Sequence, residues 1–140
     1  VELVIPGEPM GQERARHARR GKFVTTYDPP KSRNWKATAR QFMCDAMAGA
    51  PPLQGPVALS IAATFTLARS HWRKRQPVPR QWHTSTPDAD NVAKIVKDAA
   101  KGVLWLDDCQ VVSLHAIKVL GAQGEAPCLW IKVEPVMVQP

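Results

Sequence analysis

The 140-residue chain is 44% hydrophobic and 22% charged, which excludes wholesale disorder and fits one domain with a modest core. No apolar run approaches the roughly 20 residues of a membrane span, and no signal-peptide pattern opens the sequence, so a cytoplasmic location is expected. The formal charge of +7 suits a polyanionic partner.

In chain order, Val1 to Ile5 reads as a short strand ended by Pro6-Gly7. Residues 10 to 26 are polar and basic around Gly21 and read as a loop or ragged hairpin. After Pro29-Pro30, Ser32 is placed to cap a helix. Trp35, Ala39, Phe42, Met43, Ala46 and Met47 then recur at helical spacing, and the helix should stop near Gly49. Residues 57 to 67 alternate as in a half-buried strand, with Val57, Leu59, Ile61, Phe65 and Leu67 on one face. Arg69 to Pro87 lacks periodicity and reads as a long exposed loop, a kind of segment that is usually functional or disordered. A second helix begins near Asp90 or Asn91 and ends at Gly102. Its apolar stripe is Val92, Ile95, Val96, Ala99 and Val103, and its polar stripe is Asn91, Lys94, Asp98 and Lys101. Strands from Cys109 to Val119 and Cys128 to Val136 finish the chain. The sum is a single α+β domain over residues 1–140, with one mixed sheet of about four strands and two helices.

Charge is distributed unevenly. Gly11 to Arg40 holds nine basic residues (Arg14, Arg16, Arg19, Arg20, Lys22, Lys31, Arg33, Lys36, Arg40) against Glu13 and Asp28. A second basic run, Arg69, Arg73, Lys74, Arg75 and Arg80, contains no acid. Acidic residues gather instead between Asp88 and Asp108. Trp72 and Trp82 flank the second run, where they either stack on unpaired bases or pack the loop down. Cys44, Cys109 and Cys128 are scattered, which argues for reduced structural thiols over zinc ligation or a disulfide framework. His17, His71, His83 and His115 stand alone and are read as ordinary exposed or sheet residues.

Chemistry is suggested by two acidic pairs. Asp88 and Asp90 follow Pro87 and precede a helix; in an extended segment residues i and i+2 point the same way. Close carboxylates repel, and a divalent cation relieves the repulsion. Oxygen-rich, histidine-poor surroundings favour magnesium, or manganese in its place. The competing reading is helix capping, for which one Asp suffices. Asp107-Asp108 follows the apolar run Val103 to Leu106 and is either a solvated turn or a further ligand source. Neighbours in an extended segment face opposite sides, so Asp108 is taken as the inward ligand and Asp107 as a partial contributor. Lys94, one turn beyond Asp90, either orients a phosphate or forms an i,i+4 pair with Asp98.

Pro87-Asp88-Ala-Asp90-Asn91-Val-Ala-Lys94, then Asp98-Ala-Ala, then Trp105-Leu-Asp107-Asp108-Cys-Gln110-Val111-Val112 resembles the signature of RusA-type Holliday-junction resolvases, small endonucleases common in bacteriophages and prophages. Pro6-Gly7-Glu8-Pro9, Gly11 to Arg16 and Thr26-Tyr27-Asp28-Pro29 extend the likeness more loosely. Thr86 stands where many members carry Lys, and Arg14-Ala15-Arg16 where many carry Arg-Pro-Arg. The resemblance implies a homodimer that cuts opposing strands of a four-way junction. It assigns Asp88, Asp90 and Asp108 to magnesium, with Lys94 assisting catalysis. Arg14, Arg16, Arg19, Arg20, Lys22, Arg73, Lys74 and Arg75 are the expected DNA contacts. Two other readings stand beside it: a nuclease for flaps or forks, and a basic DNA-binding protein without catalysis.

Overall fold

Alternating apolar residues build a five-stranded sheet in the computed structural model, which describes residues 1–138. Its strands are β1 (Glu2–Pro6), β4 (Val57–Phe65), β5 (Gln81–Trp82), β6 (Val111–Leu120) and β7 (Cys128–Pro135), in the order β1-β7-β4-β6-β5. Only β4 and β6 run parallel, with helix α2 (Ala89–Ala100) lying between them in sequence. The other pairs are antiparallel, so the sheet is mixed. Strands β2 (Arg16–Arg20) and β3 (Phe23–Tyr27) form a separate hairpin.

Register separates the two faces of the sheet. Leu3, Ile131, Ile61 and Ala116 lie side by side across four strands, and this row faces the helices. One residue on, Val4, Trp130, Ala62 and Ile117 form a row on the opposite face. Helix α1 (Pro30–Met47) buries Ala39, Met43 and Met47; α2 buries Val92, Ile95, Val96 and Ala99. These side chains close one core over the sheet, and truncating a residue such as Ile61 to Ala should cost about 2–5 kcal/mol.

The α+β class and both helices match expectation, with three differences of detail. The main sheet has five strands, because two residues inside the expected long loop, Gln81 and Trp82, pair with Leu120 and Val119. Ser32 does not cap α1. The helix starts at Pro30, whose missing N–H costs nothing there, and Ser32 is buried in the first turn with its Oγ unpartnered. The chain leaves α1 through Ala48 and Gly49, both at positive φ. Finally, β6 begins at Val111, because residues 108–110 form a 3-10 turn.

The segment from 68 to 87 is fastened to the domain. The Gln123 side chain accepts from the amides of Arg73 and Val78 (3.0 and 3.2 Å) and donates to the Arg73 carbonyl at 3.0 Å. Arg80 grips Glu125 through two nitrogens, and Val78 is buried. Trp72 donates to the Leu67 carbonyl at 3.3 Å and carries the Arg69 guanidinium 5.1 Å from its ring centroid. For Trp72, packing therefore accounts for the residue; Trp82 remains 68% exposed.

Candidate active site

Asp88 takes the N-cap position of α2 with extended backbone, yet its carboxylate accepts no hydrogen bond from the helix. The capping alternative is met in position and not in bonding. Asp90 sits exposed in the first turn, where the positive end of the helix dipole favours a carboxylate. Beyond α2, Gly102 at φ +81° turns the chain back, and the buried residues Leu104 and Trp105 anchor the return. Trp105 Nε1 donates to Asp108 Oδ1 at 2.9 Å, which aims that carboxylate.

The two acids of the second pair do different work. Asp107 caps the 3-10 turn, accepting from the Cys109 amide, while Gln110 Oε1 accepts from the amides of Leu106 and Asp107 (2.8 and 2.9 Å). Gln110 Nε2 then donates to the Leu53 and Gly55 carbonyls, each at 2.9 Å. Asp107 and Gln110 thus build the turn, and Asp108 looks into a cavity. A capped turn, rather than the expected strand alternation, separates the two neighbours, and of the pair Asp108 is the one that lines the cavity.

That cavity, of about 360 Å³, is lined by Asp90, Ala93, Lys94, Lys97, Asp98, Asp108 and Leu114. It joins three of the expected site residues, Asp90, Lys94 and Asp108, from two separate segments. Asp88 stands two residues outside its lining, and Asp107 is also outside it, 4.0 Å from Lys101 Nζ. Among the described residues, no three His, Cys, Asp or Glu side chains group closely enough to form a complete metal cage. A cavity of about 390 Å³ between the end of β1 and α1 is mostly apolar, and its one acid, Glu8, is committed to Thr66.

Lys94 forms no ion pair among the described residues; Asp98 lies 3.9 Å from Lys36, which also holds Asp28. The expected Lys94–Asp98 pair is therefore not made, and the Lys94 ammonium stays free at the cavity. Lys97 and Asp98 line the cavity and Lys118 supports the chain leading to it, and none of the three was among the expected site residues. Asp90, Lys94, Lys97 and Asp98 fall at i, i+4, i+7 and i+8, so helical spacing from Asp90 was the available signal for two of them. Lys118 had none. It lies on β6, yet its Nζ donates to the carbonyls of Ser85 and Pro87 at 2.7 and 2.6 Å, pinning the backbone that leads into Asp88.

Two further contacts tie the N-terminal region to this motif. Gln12 N donates to the Asn91 carbonyl at 3.0 Å, and a Cβ on Gly11 would lie 2.5 Å from Pro87 Cβ, so only glycine fits. The expected DNA contacts Arg14, Arg16, Arg19, Arg20, Lys22, Arg73, Lys74 and Arg75 are all exposed, and none lines the acidic cavity. His83 packs on Phe65, ring centroids 4.4 Å apart, and His17 bonds Thr26 on the hairpin, so both are accounted for by structure. Among the described residues no helix is long and apolar enough to cross a membrane.

Comparison with known proteins places the chain in a family. An uncharacterized protein of Bacillus subtilis strain 168, YqaN, is 29% identical over 126 residues, covering 84% of this chain and 86% of its own length. The family described as endodeoxyribonuclease RusA matches residues 6–134, nearly the whole chain, with both acidic pairs, Lys94 and the turn-building Gln110 inside the matched span. The chain belongs to the RusA family of endodeoxyribonucleases.

Proposed function

We propose that this endonuclease is magnesium-dependent and resolves four-way DNA junctions by paired nicks in recombination and repair, working as a homodimer. The observation that carries the reading is the convergence of Asp90, Lys94 and Asp108 on one cavity beside an Asp88 carboxylate left free by its helix. All the donors are hard oxygens. Magnesium keeps several waters and is held by one or two carboxylates together with substrate phosphate, and Asp90 and Asp108 on the cavity wall offer that number. Asp90 and Asp108 would hold the ion, with Asp88, outside the lining, at the approach to it. Bound there, a divalent cation supplies an activated water and neutralises charge on the phosphate and leaving oxygen. The unpaired Lys94 ammonium binds a phosphate oxygen at the cavity wall. Trp105 fixes the direction of Asp108, and the exposed arginines offset the repulsion between an acidic cavity and the DNA backbone.

The homodimer draws on two facts. Among the described residues, Asp90, Asp98 and Asp108 line a single cavity, whereas cutting opposing strands needs two such sites, as a C2 pair provides. Among the described residues, the sheet face opposite the helices carries Val4, Trp130, Ala62 and Ile117 in one row, half-buried to exposed, an apolar surface that suits a second copy. A monomer in sedimentation at working concentrations would remove this part of the proposal.

The direct test compares wild type with Asp90→Asn on a synthetic four-way junction, a flap and a linear duplex, with and without Mg²⁺ or Mn²⁺. Wild type should nick the junction in symmetric pairs only with metal present, and Asp90→Asn should bind but not cut. Preferential cutting of the flap would replace the junction as substrate; joint loss of binding and cutting in Asp90→Asn would make Asp90 structural.

A further inference from the structure

Among the described residues, the hairpin β2–β3 pairs with no other strand, and none of its side chains belongs to the core. From Arg14 to Tyr27 it carries Arg14, Arg16, Arg19, Arg20 and Lys22 and no acid. Its turn is two residues long, with Gly21 supplying the positive φ that a tight hairpin requires. Register sorts its residues by face. Arg16 lies opposite Tyr27 and Arg20 opposite Phe23, with small Ala18 and Thr25 between; these six share one face. His17, Arg19, Val24 and Thr26 occupy the other. Phe23 is 78% exposed, so it buries little apolar area and does not stabilise the fold.

Both ends of this arm are rooted at the catalytic helix. At the entry, Gly11 packs on Pro87 and Gln12 bonds Asn91. At the exit, Asp28 is held by Lys36, which lies 3.9 Å from Asp98 on the cavity wall. The arm therefore projects from the elements that carry Asp90 and Asp98.

We propose that the β2–β3 arm reads the branch point, with Phe23 and Tyr27 stacking on bases that lack a stacking neighbour while Arg16 and Arg20 hold the flanking phosphates. The inference rests on the DNA-cutting reading for its partner but not for its test. Two arginine–aromatic pairs on one face, about 13 Å apart at the strand rise, combine the two elements that bind unpaired nucleic acid: cations for phosphates and rings for base planes. Intact duplex offers the arginines phosphates but offers the rings nothing, because its bases are already stacked. The aromatic half of this face is therefore where discrimination between branched and linear DNA resides.

The experiment measures binding in EDTA, where no cutting occurs, to a four-way junction carrying 2-aminopurine at the branch and to a linear duplex of equal length. Phe23→Ala should weaken junction binding about tenfold, the scale of one lost base–aromatic stack, and abolish the 2-aminopurine quench, while duplex binding is unchanged. Phe23→Trp should restore both signals, and Val24→Ala, at an exposed position on the other face, should alter neither. The proposal is overturned if Phe23→Ala weakens junction and duplex alike, if it leaves the junction unaffected, or if it changes the protein's self-association without DNA. Failure of the wild type to cut in Mg²⁺ would strike the nuclease reading and leave these binding results in place.

Discussion

Replacing Trp105 with Phe separates the aim of Asp108 from its presence. Trp105 is fully buried, and its indole N–H is the donor that orients Asp108 Oδ1 at 2.9 Å. Phe retains a six-membered ring in the same core but removes the donor. A hydrogen bond to a charged group is worth about 1.5–3 kcal/mol, and the missing pyrrole ring leaves a small void costing about 1 kcal/mol more. A total near 3 kcal/mol should lower Tm by roughly 10 °C in a chain of this size. The freed carboxylate samples other rotamers, and each ~1.4 kcal/mol lost at the transition state is tenfold in rate. Single-turnover junction cleavage should therefore fall about 10- to 100-fold, with a higher magnesium requirement, while junction binding in EDTA holds. Asp108→Asn is the companion variant: its amide oxygen still accepts from Trp105, so Tm should stay close to wild type while cleavage is lost. A Trp105→Phe protein that melts early yet cuts at the wild-type rate across the magnesium titration would refute the claim that Trp105 positions Asp108 for catalysis.

The remaining predictions concern the supports of the site. Asp107→Ala removes the cap of the 3-10 turn and should cost about 1 kcal/mol in thermal or urea unfolding, with cleavage preserved, in contrast to Asp108→Asn. Lys118→Met releases the Ser85 and Pro87 carbonyls that precede Asp88, and should reduce the single-turnover rate about tenfold with junction affinity unchanged; equal loss of both would assign Lys118 to DNA binding. The Arg80 guanidinium, with the Ala122 amide, lowers the Glu125 pKa from 4.5 to about 2. A depressed carboxylate pKa means that the stabilisation is complete above about pH 4.5 and is lost as pH falls through about 2. Limited acid proteolysis should accordingly open the 69–80 segment over that window, and Glu125→Gln should open it at neutral pH as well.

The sequence placed the candidate residues on their elements because its signals are local. A Pro-Asp-x-Asp block before a helix start places Asp88 and Asp90 at the mouth of α2 whatever surrounds it, and the helical repeat sets Lys94 one turn on. The Asp107–Asp108 distinction was legible only in outcome, since the expected extended segment is a capped 3-10 turn and the carboxylates diverge for that reason. Lys118 was illegible. Its role depends on a strand crossing beside residues about thirty positions earlier, a contact that no spacing within β6 announces.

The chain by itself determined that a basic, single-domain α+β protein presents acidic pairs at a helix mouth and after a buried Trp, because composition, period and motif spacing act over a few residues. The tertiary structure decided that Asp90, Lys94 and Asp108 share one cavity, that Asp98 belongs to Lys36 rather than Lys94, and that the basic segment near the N-terminus is a hairpin rooted on α2. Each depends on a chain reversal, at Gly102 or across the sheet, that brings distant residues together, and the energy of that reversal lies in the buried core rather than in the residues it assembles.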